Sequence, residues 1–236
     1  PYDSGSYASS TTYVTGRAVQ QACEKLRQSM CRAAALFLDA QEEQIQFDGS
    51  QFVDLSTGTS MSRKELADQG MSGSRESLEA TVTHSSPVSP PPFMVGMVEI
   101  ELDKLTGSVE ILDYVAVVDC GTVVNPNLAR VQTEGGLAQG IGMALYEDIQ
   151  YTATGKMRNN SFMQYKIPTR LDLGRLRVEF ESSYEPTGPF GAKSIGEIVI
   201  NTPSPALVHA IANATGLWFH ELPVTSEKIA MGLKKK

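Results

Sequence analysis

Apolar residues recur at a helical period over two long stretches of the chain. From about residue 12 to residue 39, small and apolar side chains return every four positions, which predicts one buried face of a long helix: Ala18, Ala22, Leu26, Met30 and Ala34. A second long helix is predicted at about 127–147, and shorter helices at 62–69, 204–215 and 225–233.

Alternating apolar and polar positions predict strands, most of them in hairpins. The stretches 43–47 and 51–55 flank the turn signal Asp48-Gly49, and 93–103 and 108–118 flank a second turn. A third hairpin is predicted around 153–155, with single strands at 78–83 and 175–182. Together these elements predict an α+β fold with mixed or antiparallel sheets and two long helices.

A proline-rich stretch divides these elements. Residues 85–92 include four prolines and can form neither a helix nor a central strand. We therefore predict two lobes, residues 1–84 and residues 93–236, with the alternative that the strands and helices of the two interleave.

Composition excludes some classes of partner. A net charge of −7 over 236 residues argues against a nucleic-acid partner. No apolar run approaches the roughly 20 residues that span a bilayer, and no leader segment opens the chain, so we expect a cytoplasmic protein without a membrane contact. The polar start without an initiator methionine predicts a fragment or a processed chain.

Cysteine and histidine usage gives no sign of a metal site. Cys23, Cys31 and Cys120 are odd in number and contain no CxxC pair. This favours buried thiols in a reducing compartment over disulfides, zinc or an iron–sulfur cluster. The histidines are scattered along the chain, so we predict no metal-ligating side chains.

A glycine-rich loop is the first candidate for function. Residues 188–197 contain three glycines and end at Glu197, just before an apolar run. Partial desolvation at that position would favour a general base. The alternative is a surface loop with a solvated glutamate.

The second long helix carries the next candidate. Its four glycines at 135, 136, 140 and 142 would allow either another helix or a flat ligand to approach closely. Gln132 and Gln139 lie about two turns apart on nearly one face, where their amides could hydrogen-bond a heteroaromatic ring such as a pterin.

The first 12 residues are rich in serine, threonine and tyrosine and precede the first long helix. Their hydroxyls and the backbone N–H groups at the start of that helix could bind an anion. Simple capping of the helix is the alternative.

These motifs resemble the molybdenum subunit of the xanthine dehydrogenase and aldehyde oxidase family, the molybdenum hydroxylases. The loop GPFGAKSIGE at 188–197 is similar to the Gly-Ala-Lys-x-x-Gly-Glu loop of that family. The helix sequence QTEGGLAQGIG at 132–142 is similar to its Q-x-E-G-x-x-x-Q-G-x-G pattern. The resemblance covers essentially the whole chain and implies the C-terminal part of the molybdopterin-binding region.

The resemblance also implies roles for individual residues. Glu197 would be the general base. Six further residues would contact or surround the cofactor: Ala8, Ser9, Thr11, Gln132, Gln139 and Gly196. No side chain of this chain would ligate the metal.

By the same resemblance, the cofactor is molybdopterin, as the cytosine dinucleotide, with molybdenum. The implied reaction is oxidative hydroxylation of an N-heterocycle such as a purine (xanthine or hypoxanthine), with water as the oxygen source. The family's upstream cofactor loops and substrate-binding residues have no counterpart here. The chain would therefore be inactive without the rest of the molybdenum subunit and the 2Fe–2S and FAD domains or subunits. Two alternatives are an aldehyde oxidoreductase of the same family and a non-catalytic cofactor-binding or assembly module.

Overall fold

The chain is divided into two units, each with its own sheet and core. The structure is a computed structural model that describes residues 5–73 and 78–235, with residues 70–73 described by their backbone alone. The first unit contains residue 5 and Val14–Pro87, and the second contains residues 6–13 and the chain from Val88 onward. The units meet in sequence inside the proline-rich stretch. They differ from the predicted lobes because residues 6–13 belong to the second unit.

The first unit packs helices against a small antiparallel sheet. A π-helical turn at Thr11–Thr15 precedes its first helix, and a 3₁₀ turn lies at Glu42–Gln44. The strand order is β1-β2-β3. Buried small residues of α1 pack with apolar side chains of β2, β3 and α2. The elements are α1 (Gly16–Leu38), β1 (Ile45–Phe47), β2 (Gln51–Asp54), β3 (Ser60–Ser62) and α2 (Arg63–Gly73).

Most predictions for the first unit are confirmed. The first long helix is α1, and β1 and β2 form the predicted hairpin around Asp48-Gly49. The strand predicted at 78–83 is wrong: these residues alternate between exposed and half-buried but pair with no strand among the described residues. Alternation reports only the exposure of side chains, whereas a strand also needs a hydrogen-bonding neighbour. The short strand β3 was missed because three residues carry almost no periodicity.

The second unit is built on a mixed three-stranded sheet. The central strand β5 is antiparallel to β4 and parallel to β6. Buried side chains of β5 and α3 form part of the core between sheet and helices. Short 3₁₀ turns lie at Arg170–Asp172 and Pro189–Gly191. The elements are β4 (Phe93–Leu102), β5 (Val109–Asp119), α3 (Pro126–Leu145), β6 (Arg175–Phe180), α4 (Ile198–Asn201), α5 (Pro203–Thr215) and α6 (Ser226–Lys234).

This architecture confirms the predicted α+β fold with mixed sheets and two long helices, α1 and α3. The hairpin predicted around 153–155 is only partly found, since a single bridge joins Tyr151 and Met157. No further strand of the described chain lies beside this turn to extend the pairing.

Two glycines let α3 lie against the chain that enters α5. A Cβ at Gly136 would overlap the side chain of Val199. A Cβ at Gly140 would lie 2.6 Å from Cγ of Pro203 and 2.8 Å from the carbonyl oxygen of Ile200. A protein segment rather than a ligand therefore occupies this side of α3, which brings the residues just before α4 close to the helix.

Adding a methyl group at Gly140 is expected to destabilise the protein. The new Cβ of Gly140→Ala would press on a backbone oxygen that cannot rotate away, so we expect a loss of about 1–3 kcal/mol in the free energy of unfolding. Gly135→Ala is the matched control, because its Cβ would meet nothing within 4 Å. Its higher helix propensity predicts a gain of up to about 1 kcal/mol. Urea unfolding measures both changes, and equal effects would contradict the packing.

Candidate functional site

The second unit contains a cavity of about 600 Å³ beyond the carboxyl end of β5. Three segments line it: residues 6–12, the chain from Cys120 into the first turns of α3, and the glycine-rich loop from Ala192 to Glu197. All three belong to the second unit. The volume lies within the range of about 300–1,000 Å³ that is typical of small-molecule and cofactor sites.

The glycine-rich loop is tied to the end of β5. The backbone N–H of Lys193 donates to the carbonyl oxygen of Cys120 at 2.7 Å, and Gly121 and Ala192 form an isolated bridge. The Lys193 side chain is 9% exposed, and its Nζ forms an ion pair with Oδ2 of Asp119 at 2.7 Å. One lysine thus joins the loop to the strand through both its backbone and its side chain.

The charge of Asp119 is stabilised by several donors. Its Oδ1 accepts hydrogen bonds from the hydroxyl of Ser183 at 2.5 Å and the N–H of Gly121 at 3.0 Å. Burial alone would raise the pKa of this carboxyl. The hydrogen bonds, with that of Lys193 the strongest, outweigh burial and hold the pKa below its usual value of 3.8.

Acid is expected to remove this part of the stability. Since the pKa of Asp119 is lower in the folded than in the unfolded chain, its contribution is present above the unfolded-state pKa and is lost as the pH falls through the folded-state pKa. The difference in unfolding free energy between wild type and Asp119→Asn should therefore begin to shrink below about pH 5 and keep shrinking as the pH falls through the folded-state pKa. Denaturant titrations at several pH values measure it. A difference that does not change with pH would show that this carboxylate is not stabilised by folding.

Residues from three separate motifs meet at the backbone of Glu197. The N–H of Glu197 donates to Oγ of Ser9 at 2.8 Å, and Nε2 of Gln132 donates to the carbonyl oxygen of Gly196 at 3.1 Å. A Cβ at Gly196 would approach Oγ of Ser9 to 3.1 Å, so this close contact favours glycine. The structure brings these four predicted site residues together at one wall of the cavity.

The Glu197 side chain lines the cavity and is exposed. The partial burial that its position before an apolar run led us to expect is therefore not found in this chain. The apolar residues that follow are directed into the contact with α3, where Val199 is fully buried, and do not cover the carboxylate.

The hydroxyl-rich segment supplies a second wall. Thr11 lines the cavity and donates to Oγ of Ser6 at 2.9 Å. Ala8 does not line it, but Ala8 and Ser9 both have positive φ, 50° and 56°. Such left-handed conformations cost roughly 1–2 kcal/mol in a non-glycine residue, so neighbouring contacts must hold this turn. The hydroxyl of Tyr13 lies 2.6 Å from Oγ1 of Thr187 and anchors the end of the segment.

Gln139 lies outside the cavity. It is exposed and does not belong to the lining. Seven residues of helix separate it from Gln132, a rise of about 10 Å along the axis. Although Gln132 and Gln139 share nearly one face of the helix, their separation along the helix axis keeps Gln139 out of the cavity.

Sequence reasoning missed the ion pair between Lys193 and Asp119. Each lies in a stretch that the sequence analysis described, one in the glycine-rich loop and one at the end of a predicted strand. Nothing in the sequence indicates that two residues so far apart form a pair. The cavity lining at Thr122 and Asn125 was missed for the same reason.

The cysteines are free, with Cys31 and Cys120 buried and Cys23 exposed. The expectation of buried thiols is thus wrong for Cys23, which lies on the outer side of α1. Burial raises the pKa of the Cys120 thiol at the cavity wall.

Within residues 5–73 and 78–235, no three histidine, cysteine or acidic side chains form a group that could hold a metal ion. None of the helices described is long and apolar enough to cross a membrane.

Comparison with known proteins defines the class to which this fold and cavity belong. Residues 1–174 match the model of the molybdopterin cofactor-binding domain family. The chain therefore belongs to this family, and it is a member of the molybdenum hydroxylases.

Two relatives and one solved structure illustrate the match. The chain is 34% identical, over 99% of its length, to the probable hypoxanthine oxidase XdhD of Escherichia coli K12, and covers 25% of that protein. It is 29% identical, over 89% of its length, to the aldehyde oxidoreductase molybdenum-binding subunit PaoC of Escherichia coli O157:H7, and covers 28% of it. All of it superposes on 31% of quinoline 2-oxidoreductase from Pseudomonas putida 86, with a TM-score of 0.87 and 25% identity. The chain thus spans about a quarter to a third of these proteins.

Proposed function

We propose that this chain forms one wall of the cofactor site of a molybdenum hydroxylase and supplies its general base. The observation that carries the proposal is the convergence of Ser9, Gln132 and Gly196 on the backbone of Glu197 at the cavity wall. The family match supports the cofactor site independently, because it covers residues 1–174, including Ser9 and Gln132, and does not depend on this geometry. The general-base role of Glu197 rests on the geometry of the loop and on its resemblance to the family's Gly-Glu loop.

The cavity residues fit a molybdopterin cofactor. The hydroxyl-rich segment 6–12 and the amino end of α3 both line the cavity, so hydroxyl donors for phosphate groups lie beside the positive end of a helix dipole. Gln132 adds an amide, and an amide can both donate to and accept from the heteroatoms of a pterin. When bound, the cofactor with its molybdenum would supply the oxidation–reduction chemistry. We propose its cytosine dinucleotide form.

Glu197 is proposed to remove a proton from the water molecule that supplies the oxygen. Its carboxylate lines the cavity and has no hydrogen-bond partner within the described residues, so it is free to accept that proton. Ser9 and Gln132 both hold the peptide unit that joins Gly196 to Glu197, one at its N–H and one at its carbonyl oxygen, so they hold the backbone of this residue without occupying its carboxylate oxygens. A fixed backbone at the cavity wall keeps the carboxylate within reach of a bound substrate, which supports a role in positioning-dependent proton transfer.

The proposed substrate is an N-heterocycle such as a purine. The names of XdhD and of quinoline 2-oxidoreductase refer to N-heterocycles, which supports this class. The name of PaoC supports the alternative, an aldehyde. A comparison of kcat/KM for hypoxanthine, quinoline and an aromatic aldehyde in the native assembly would decide between them.

The rest of the enzyme is proposed to lie outside this chain. The relatives are three to four times as long, so the remaining part of a molybdenum subunit would complete the cavity. Iron–sulfur and FAD domains or subunits would carry electrons away, in the cytoplasm. We expect the chain alone to be inactive.

A matched pair of glutamine variants tests the cofactor assignment. Gln132→Leu removes the amide at the cavity wall. We expect the affinity of the assembly for its pterin to fall roughly five-fold, because one net hydrogen bond is worth about 1 kcal/mol. Gln139→Leu is the control, because Gln139 lies on the same helix but outside the cavity. Fluorescence of the pterin released per mole of protein measures both. Equal loss in the two variants would contradict a cofactor bound at this wall.

A further inference from the structure

The sheet of the second unit has an exposed apolar patch on one of its faces. We define the outer patch as Phe93, Val95 and Met97 of β4 with Val115 and Val117 of β5. The three β4 side chains are 61%, 62% and 56% exposed. Strand pairing places Val95 beside Val117 and Met97 beside Val115, so the patch is contiguous.

The opposite face of the same strands is already covered. Tyr114 and Ala116 of β5 are fully buried, and Met94 and Val98 of β4 pack with them against Leu137 of α3. A sheet with helices on one face normally has a polar second face. Here the outer face is polar toward the far end of β4, at Glu99 and Glu101, and charged along β6, where Arg177 and Glu179 pair with Val115 and Val117. The apolar patch is therefore confined to the first half of β4 and the part of β5 that pairs with it.

The sheet of the second unit also ends at β4, as far as the described strands go. Among the described strands, β4 pairs with β5 alone, so its other edge presents unpaired backbone groups. An apolar face next to an open edge is the arrangement that binds an added strand or a second layer. Three valines, a methionine and a phenylalanine in contact would be a costly surface if water covered them.

The patch is continuous with the proposed active-site wall. The ammonium of Lys193 lies 5.2 Å from the ring centroid of Phe93 and donates to the carbonyl oxygen of Pro91 at 3.2 Å. The same lysine holds the glycine-rich loop at the end of β5. A segment that covers the patch would therefore contact Phe93 at the start of β4. Phe93 in turn contacts Lys193 of the loop that carries Glu197.

We propose that the outer patch and the free edge of β4 bind the part of the molybdenum-binding subunit that this chain does not contain. The inference rests on the proposed function. The chain spans only 25% and 28% of two relatives, so a large polypeptide remains to be placed against it. The patch predicts the chemistry of the contact: an apolar layer that covers the three β4 side chains, with one strand hydrogen-bonded along β4.

Photo-crosslinking in the native assembly tests this contact. A photoreactive amino acid replaces Val95 in one variant and Met97 in another. The control replaces Leu105, which is 88% exposed in the turn that joins the same two strands but lies outside the patch. Mass spectrometry then identifies the crosslinked peptides.

We expect crosslinks from Val95 and Met97 at least ten-fold more abundant than from Leu105. The partner peptides should belong to the missing part of a molybdenum-binding subunit, whether on a separate chain or on the same longer one. Crosslinks to a second copy of this chain, to residues of its first unit or to an unrelated protein would overturn the proposal, as would an absence of crosslinks. The readout depends neither on bound metal nor on turnover, so crosslinks in an assembly without molybdopterin would reject the proposed function while leaving this contact supported.

Discussion

Replacing Glu197 with glutamine is expected to lower kcat of the native assembly by at least about 100-fold, the contribution typical of a general base. Glutamine keeps the size of the side chain but cannot accept the proton. The contact between the N–H of residue 197 and Ser9 involves only the backbone of that residue, so it should survive the change. Cofactor content should therefore remain at the wild-type level while turnover falls.

Glu221→Gln is the control, because Glu221 is exposed and does not line the cavity. It should leave kcat unchanged. The pH–rate profile gives a second readout, since loss of the base should remove the limb on which activity rises with pH. If Glu197→Gln turned over at the wild-type rate, Glu197 would have a structural role only. That result would favour the alternative in which this chain is a non-catalytic cofactor-binding or assembly module.

Replacing Lys193 with methionine is expected to have the largest effect on stability. Lys193 is 9% and Asp119 20% exposed, so the change leaves a largely buried carboxylate without its cation. Breaking a buried pair by removing one partner costs about 3–5 kcal/mol. Denaturant unfolding should show a loss of that size.

The double variant Lys193→Met with Asp119→Asn separates charge from packing. Removing both charges is expected to recover much of the loss, because a buried pair that is replaced as a whole is often neutral in stability. If the double variant is as unstable as Lys193→Met, the lysine acts through its packing on Phe93 and not through the ion pair. Lys64→Met is a surface control, since its ion pair with Asp68 is 86% and 62% exposed. Exposed pairs contribute no more than about 1 kcal/mol.

The sequence was most informative where a local pattern dictates a local structure. The period of α1, the Asp48-Gly49 turn and the paired strands β4 and β5 each follow from residues close together in the chain. The wrong predictions concern features that depend on residues far apart in the chain. The strand predicted at 78–83 has the alternation of a strand but no neighbour, and no sequence window contains that neighbour.

The site shows the same limit. Glu197, Gln132 and Ser9 were all selected through the resemblance to a known family, and the hydroxyl-rich segment by itself indicated an anion site without naming a residue. Their meeting depends on Gly136 and Gly140, which let α3 approach the residues after Glu197. The sequence predicted that something lies close to these glycines, but not whether it is protein or ligand. The exposure of Glu197 likewise depends on where Val199 packs, which is a tertiary property.

The most direct test of the central claim is the molybdenum and pterin content, per mole, of the native assembly that contains this chain. We predict near-stoichiometric molybdenum together with a pterin that releases a cytidine nucleotide. Molybdenum and pterin without that nucleotide would retain the cofactor site and correct its form. The absence of both, in protein from cells shown to make the cofactor, would contradict the claim that this cavity is part of a molybdopterin site.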